Sequence, residues 1–499
     1  MDLTTEPYAS LLDNVLHAAA EAGVYVIARV QKARSQSVQV RNGTVEAVRA
    51  TFGGGIGVQV FTPEGNSAFA SVDGYDERRV LDALAAAIRG AQAAQAQGLQ
   101  ANRAIFTLSP LRTEVNLPLP YPFGHLALPD VRETLLGINE EARQSDGSPR
   151  VSTGWGITEE AWRIVRSDGT DARFRLSRCR IGNSLTAQDG GAMVTTSASI
   201  SAPSYQVLLS DDLRRRLRSR TDRAAKLGHH LLDAPHYAAG SYDLLIDYAL
   251  AKGLAHEAFG HAAEIDGLRS SILGDAEGRF RVGERVAADH VSIVDEPIAG
   301  DHAYQPISPN GVRRQRTTIV DHGVLREALA DPFSAETAGV PITGAGRCQS
   351  YSHVPVPRMT NIRIEVDQPV PVDLPFEELT PAVVWELARD HGLLHDNRPL
   401  IYLSGYKGGQ VNPVLGDFVF NCTGLYELTC DGVRLFKPAI FSGKTLEALQ
   451  SIRAGFGPLQ LDAIGTCGKA GQQVPSSGGS HFLLHLERNR HVTIGGVAQ

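Results

Sequence analysis

Val38-Gln39-Val40-Arg41-Asn42-Gly43-Thr44-Val45-Glu46-Ala47-Val48 alternates apolar and polar residues on both sides of an Asn-Gly pair. Period-two alternation describes a strand with one buried face. Asn-Gly supplies the two positive-φ positions of a tight hairpin turn. Upstream, Leu11, Leu12, Val15, Leu16 and Ala19 recur at helical spacing over residues 8–22, and Val24, Val26, Ala28 and Val30 begin a strand. Downstream, Gly53-Gly54-Gly55-Ile56-Gly57 runs into another strand-like stretch, Ile56 to Phe61. A phosphate-binding loop needs a helix there, so the glycines are read as a bulge or bend. An Ala-rich helix over 76–95 follows. The first part of the chain is thus α+β, with helices packed on an antiparallel sheet.

Residues 100–130, punctuated by proline, read as a connection. A helix is expected over 131–145, strands and turns over 151–201, and a long helix over 211–233. Pro235 and the Ala239-Gly240-Ser241 loop then mark a boundary, giving an N-terminal α+β domain, 1–235, and a C-terminal domain, 236–499. The second domain opens on a strand, Tyr242 to Asp247, and a helix over 249–264. Short strand-like segments follow at 316–325, 361–366, 399–404, 410–421 and 424–436, with a short helix from Lys444. A Gly/Ser-rich loop is expected at 476–480 and a last strand at 482–486. Their regular turns predict a large curved, barrel-like antiparallel sheet.

The 499 residues carry a net charge of −7, which argues against the basic face that duplex nucleic acid requires. The run Arg214 to Arg220 is flanked by Asp211, Asp212 and Asp222 and reads as a solvated helix face. Five widely spaced cysteines do not form a secreted disulfide framework. Met1 to Glu6 lacks the features of a signal peptide. No apolar run reaches the ~18 residues needed to span a bilayer. The expectation is a cytoplasmic protein without membrane attachment.

Leu254-Ala255-His256-Glu257-Ala258-Phe259-Gly260-His261-Ala262-Ala263-Glu264 carries the chemistry. In the metallopeptidase pattern, two histidines four apart hold zinc and the intervening Glu is the base. Here they are five apart. On an ideal helix that separates them by roughly 140°. A one-residue π-bulge would bring them together, with Gly260 giving the backbone its freedom. Without it, the segment is an Ala-rich helix bearing two surface histidines. A catalytic zinc also needs a third protein ligand and an open position. Cys467, flanked by glycines that would expose its thiol, is a candidate. Cys179, Cys422 and Cys430 lie in strand-like stretches as small core or sheet residues, and Cys348 stays ambiguous in a polar loop.

Several further stretches lie in a fixed order along the chain: Val38 to Gly43 with Gly55-Ile56-Gly57-Val58, then Arg358-Met359-Thr360-Asn361, Gly408-Gly409-Gln410-Val411, Gly416-Asp417-Phe418, and Thr466-Cys467-Gly468-Lys469 with Gly471-Gln472 and Val474-Pro475. Together with the His-Glu segment they resemble the TldD/PmbA family over nearly the whole length. The segments 266–284 and 367–399 match only loosely.

The resemblance implies a zinc metallopeptidase with His256, His261 and Cys467 as ligands and Glu257 as general base. It implies the TldD-type catalytic subunit of a heterodimer with a TldE/PmbA-like partner, or self-association, and flexible peptides as substrates. Candidate substrate-binding donors are Arg358, Asn361 and His353, each with a structural alternative: fixing a loop, capping a turn, or simple exposure. Glu264 and Asp266 could orient a ligand imidazole or be helix-end charges. Two other readings stand beside this one. The first is an amide hydrolase acting on a small peptide-like conjugate in a natural-product pathway, such as antibiotic biosynthesis. The second is a non-catalytic partner or regulator, for example of DNA gyrase.

Overall fold

The computed structural model describes residues 3, 8–144, 150–396 and 398–496. The reading of Met1 to Glu6 falls, apart from Leu3, outside the described residues, as does the last position of the helix expected over 131–145.

The expected hairpin starts the first sheet. Asn42 and Gly43 take φ 47° and 78° and turn β1 (Tyr25–Arg41) into β2 (Thr44–Phe61), with Val38 opposite Val48. β3 (Ser67–Asp73), β4 (Arg112–Val115), β5 (Arg150–Arg166), β6 (Asp171–Asp189) and β7 (Ala192–Ala202) complete it. The order is β3-β2-β1-β5-β6-β4, with β7 also paired to β6. Helices Ala9–Glu21 and Glu77–Ala96 bury Leu11, Leu12, Val15, Val80 and Leu84 against Val26, Ala28, Val30 and Val58. Asp76 caps the second helix by accepting from the Arg79 amide. Helices Leu128–Gln144 and Asp211–Asp233 cover the β5–β7 end. The stretch read as a pure connection contains β4, which runs parallel to β6.

Gly53 to Gly57 form neither bulge nor bend. The β1–β2 register runs straight through them, its irregularity lying at Gln39/Val40. The glycines make room: a Cβ on Gly55 would stand 2.5 Å from Tyr351 Cε2, and one on Gly57 2.1 Å from the Tyr351 carbonyl oxygen. The turn around Tyr351, from the second half of the chain, therefore lies directly on this strand. Tyr351 also donates its amide to Gln31 Oε1 at 3.0 Å. Nearby, Ile27, Trp162, Ile164 and Phe174 pack with Ile307 and Cys348, so Cys348 is a core residue.

The second sheet has thirteen strands. They are β8 (Asp243–Asp247), β9 (Val291–Glu296), β10 (Thr317–Asp321), β11 (Val324–Leu325), β14 (Asn361–Val366), β15 (Leu400–Asn412), β16 (Asp417–Thr429), β17 (Gly432–Phe436), β18 (Ile440–Lys444), β19 (Ile452–Gln460), β20 (Gly465–Lys469), β21 (Gln472–Leu486) and β22 (Val492–Gly495). β12 (Gly346–Arg347) and β13 (Val356–Pro357) pair separately. The order β11-β10-β9-β14-β21-β8-β15-β16-β18-β22 has two free ends, so the sheet is open, without barrel closure. Its pairings are antiparallel except β14–β21 and β8–β15. The fold is α+β.

The Gly/Ser stretch 476–480 is not a loop. It lies inside β21, between β14 and the strands β19 and β20. A Cβ on Gly478 would be 1.9 Å from the Ile362 carbonyl oxygen, and one on Gly479 1.8 Å from that of Gln460. Small residues stand there because backbones approach closely. The last strand is accordingly β22. Cys179 and Cys422 are core residues, whereas Cys430 is exposed in the turn after β16. The basic run is only partly a solvated face. Arg215 and Arg218 are exposed, but Arg216 and Arg220 both reach Glu377 and Asp462. Among the described residues, no helix is long and apolar enough to cross a membrane.

Candidate metal centre

β8 is buried along its whole length and ends at Asp247. The Asp247 carboxylate accepts the Leu250 amide at 2.9 Å and the Gly405 amide at 2.6 Å, which starts the helix and ties it to β15. Burial still pushes this carboxyl up to about 6. The helix is α over Tyr248–Gly253, widens to π over Leu254–Gly260, and tightens to 3₁₀ over His261–Ala263. The extra residue between the histidines is thus absorbed by the widening that the spacing demands. The two imidazoles come together edge to face, ring centroids 5.2 Å apart.

Gly260 serves this geometry differently from the sequence expectation. Its backbone is ordinary helix, φ −59° and ψ −45°. A Cβ there would stand 2.1 Å from Met359 Sδ and 2.9 Å from Ile362 Cδ1. Gly260 lets the widened turn lie flat on β14, so it is needed for space and not for backbone freedom.

Cys467, on β20, comes 206 residues after His261 and places its Sγ 3.4 Å from His261 Nε2. One ligand atom each from His256, His261 and Cys467 lie within 4.8 Å of one another. Cys467 is buried, contrary to the exposure its flanking glycines suggested: β20 is paired with β21, and the thiol faces inward. Its carbonyl oxygen accepts a hydrogen bond from Arg358 Nη2. Glu257 sits beside the cluster, its Oε2 3.7 Å from His261 Nε2.

The protonation states of His256 and Cys467 suit a cation, whereas His261 has to release its proton to bind one. Burial and the nearby Lys252 ammonium hold His256 well below the usual histidine range, so its ring is neutral. Both of its ring nitrogens are buried with no hydrogen-bond partner among the described residues. Burial opposes ionisation of Cys467, but His261 outweighs it and lowers the thiol pKa. Burial likewise disfavours the His261 imidazolium, while Glu264 and Cys467 raise its pKa strongly. His261 Nδ1 lies 2.9 Å from Glu264 Oε2, so that carboxylate fixes the ring and aims Nε2 at Cys467. Glu264 is itself held by Lys469 Nζ at 2.7 Å, which also reaches Asp266 at 2.6 Å. An orphaned buried imidazole, a carboxylate-backed imidazole and an acidified thiol form a donor set that fits zinc.

Glu257 opens onto a cavity of about 690 Å3 lined also by Lys252, Tyr402, Tyr406, Gly408, Gly409, Thr466 and residues 196–199 of β7. Arg358, Asn361 and His353 do not line it. Arg358 is buried and holds the Cys467 carbonyl. Asn361 donates to Asp301, the Leu461 carbonyl and Ser477. His353 lies in the turn on β2, its Nδ1 2.9 Å from Ser350 Oγ. Sequence reasoning passed over Lys252 and Tyr406 and quoted Lys469 only within the Cys467 motif, without a role. Lys252 stands one helical turn before His256, a spacing that could have drawn notice, whereas Tyr406 and Lys469 meet the site only through the fold.

Comparison with known proteins bears on this centre. The family description "PmbA/TldA metallopeptidase C-terminal domain" matches residues 239–475, and "PmbA/TldA metallopeptidase domain 1" matches residues 26–94. A relative from Methanothermobacter thermautotrophicus named metalloprotease is 26% identical over the full length of both chains. A zinc metalloprotease TldD homolog from Saccharolobus solfataricus is 26% identical over 49% of this chain and 51% of its own. The crystal structure of TldE from Thermococcus kodakarensis superposes with a TM-score of 0.75 at 15% identity, covering 97% of this chain and all of that one, which is a likeness of fold. The chain belongs to the PmbA/TldD metallopeptidase family.

Proposed function

We propose that this chain is a zinc-dependent metallopeptidase that hydrolyses amide bonds of flexible peptides, with His256, His261 and Cys467 as ligands and Glu257 as general base. The observation that carries the reading is the meeting of those three donors within 4.8 Å, with Glu257 on the adjoining cavity wall. When bound, zinc supplies a Lewis acid for the scissile carbonyl and lowers the pKa of water. Glu257 takes the proton of the attacking water and delivers it to the leaving amine. Glu264 holds His261 in one tautomer and one orientation. The cavity admits an extended chain and has no room for a folded domain.

The same reading makes the chain a TldD-type subunit that pairs with a TldE/PmbA-like partner, in the cytoplasm. It divides the chain at 235/236 into an N-terminal domain and the metallopeptidase domain. The likeness to TldE supports a pair built from two copies of one fold. The five free cysteines support a reducing compartment.

The test uses the protein as isolated, with any partner that co-purifies, and fluorescein-labelled β-casein as an unfolded substrate. Wild type is expected to hold one zinc and to hydrolyse the substrate. Glu257→Gln should keep the zinc and lose roughly 10²–10⁴ of the rate. A zinc-free wild type, or a variant hydrolysing at the wild-type rate, contradicts the reading.

A further inference from the structure

A second oxygen-binding donor is needed beside the metal. As the water oxygen bonds to the carbonyl carbon, the C=O π pair moves onto oxygen. Glu257 takes the water's proton and later delivers it to nitrogen as the C–N bond breaks. Negative charge therefore collects on the carbonyl oxygen, and a donor aimed there is worth about 10²–10³ in rate. None of Arg358, Asn361 and His353 lines the cavity.

Two residues on the cavity wall answer the need. Tyr406 stands at the irregularity where β15 slips against β16 between Tyr406 and Gly409. Its ring is fixed on one side by Gly253, where a Cβ would stand 2.8 Å from Cε2, and on the other by Phe420, with centroids 5.6 Å apart. Its hydroxyl is buried and has no hydrogen-bond partner among the described residues. A buried hydroxyl without a partner is costly in a folded protein and calls for an explanation. Lys252 is also buried, and its Nζ makes one long contact, 3.3 Å to Ser476 Oγ. An ammonium has three donors, so it keeps capacity for a ligand oxygen. Both residues line the cavity onto which Glu257 opens.

We infer that the Tyr406 hydroxyl and the Lys252 ammonium together receive the oxygen of the scissile carbonyl as it becomes an oxyanion. This rests on the peptidase reading above and assigns to it two catalytic residues. Donors left unsatisfied in the free protein are filled only when the tetrahedral oxygen arrives, so their binding energy is spent on the transition state.

The experiment compares wild type, Tyr406→Phe and Lys252→Met, each zinc-loaded and isolated with any co-purifying partner. The probes are a phosphinic pseudotripeptide, Ala-Ψ[PO2-CH2]-Ala-Ala, as a tetrahedral mimic and trialanine as a planar one. Both are titrated by calorimetry, beside β-casein hydrolysis and zinc content. The expected result is unchanged zinc, at least tenfold weaker phosphinate binding in each variant, trialanine binding within twofold of wild type, and a fall in kcat at near-constant KM. If Lys252→Met loses zinc, Lys252→Gln takes its place. Phosphinate affinity unchanged in either variant, or phosphinate and trialanine weakened alike, overturns the donor pair while leaving the peptidase reading intact. A wild type that holds no zinc overturns both.

Discussion

The two halves of the candidate metal centre are built in opposite ways. His256, Glu257 and His261 sit on one short segment, and their convergence is local: one residue too many, absorbed by π widening over Leu254–Gly260. Cys467 comes from the β20–β21 hairpin, and its position is set by contacts far apart in sequence. Arg358 holds its carbonyl, Arg347 donates to the carbonyls of Met359 and Pro475, and Lys469 bridges to Glu264. A local device fixes the angle between two candidate ligands. A set of basic side chains fixes the distance to the third candidate. The loop 345–359 joins the halves, since Met359 lies against Gly260 and Arg358 against Cys467.

This contrast can be broken from either side. The largest effect is expected for Gly260→Ala, whose new methyl collides with Met359 and Ile362. It should cost ~1–3 kcal/mol of stability, read by urea unfolding, and abolish zinc binding because both histidines move. Unaltered zinc affinity would show that the widened turn tolerates displacement. Next comes Arg358→Met, which acts only on the hairpin half. It removes the bond to Cys467 and also two buried donors without partners, Nε and Nη1. Stability should therefore change by less than ~1 kcal/mol, while zinc affinity falls about 10–100-fold in a chelator competition. A variant that unfolds with its zinc affinity intact would make Arg358 a folding residue alone. The smallest effect is expected for Glu264→Gln, which keeps the side chain's shape and weakens its hold on both His261 and Lys469. About tenfold weaker zinc binding is expected, and no change would remove Glu264 from the centre's support.

The same contrast explains what could be read from the sequence. The helix Asp211–Asp233 and the strands β8 and β14 follow from local periodicity, and so do the hairpin at Asn42-Gly43 and the π widening. Errors fell where tertiary packing chose the residue. Gly478 and Gly479 looked like loop because glycine favours loops, yet they are small so that β14 and the end of β19 can touch β21. Gly53 to Gly57 looked like a bend for the same reason, yet they continue the strand, and Gly55 and Gly57 accommodate Tyr351. Cys467 seemed exposed because its neighbours are glycines, but pairing with β21 turns its thiol inward. Arg216 and Arg220 belonged to a run that looked solvated, and their acidic partners lie more than 150 residues away. Lys252 and Tyr406 carried no motif at all.

In the proposed centre, one zinc ion is held jointly by the local pair and the distant thiol. Zinc K-edge X-ray absorption on the isolated protein tests it most directly. One sulfur at ~2.3 Å and two imidazole nitrogens at ~2.0 Å are expected, with the sulfur shell lost in Cys467→Ser. A zinc shell without sulfur in the wild type, or one that keeps its sulfur in Cys467→Ser, would contradict it.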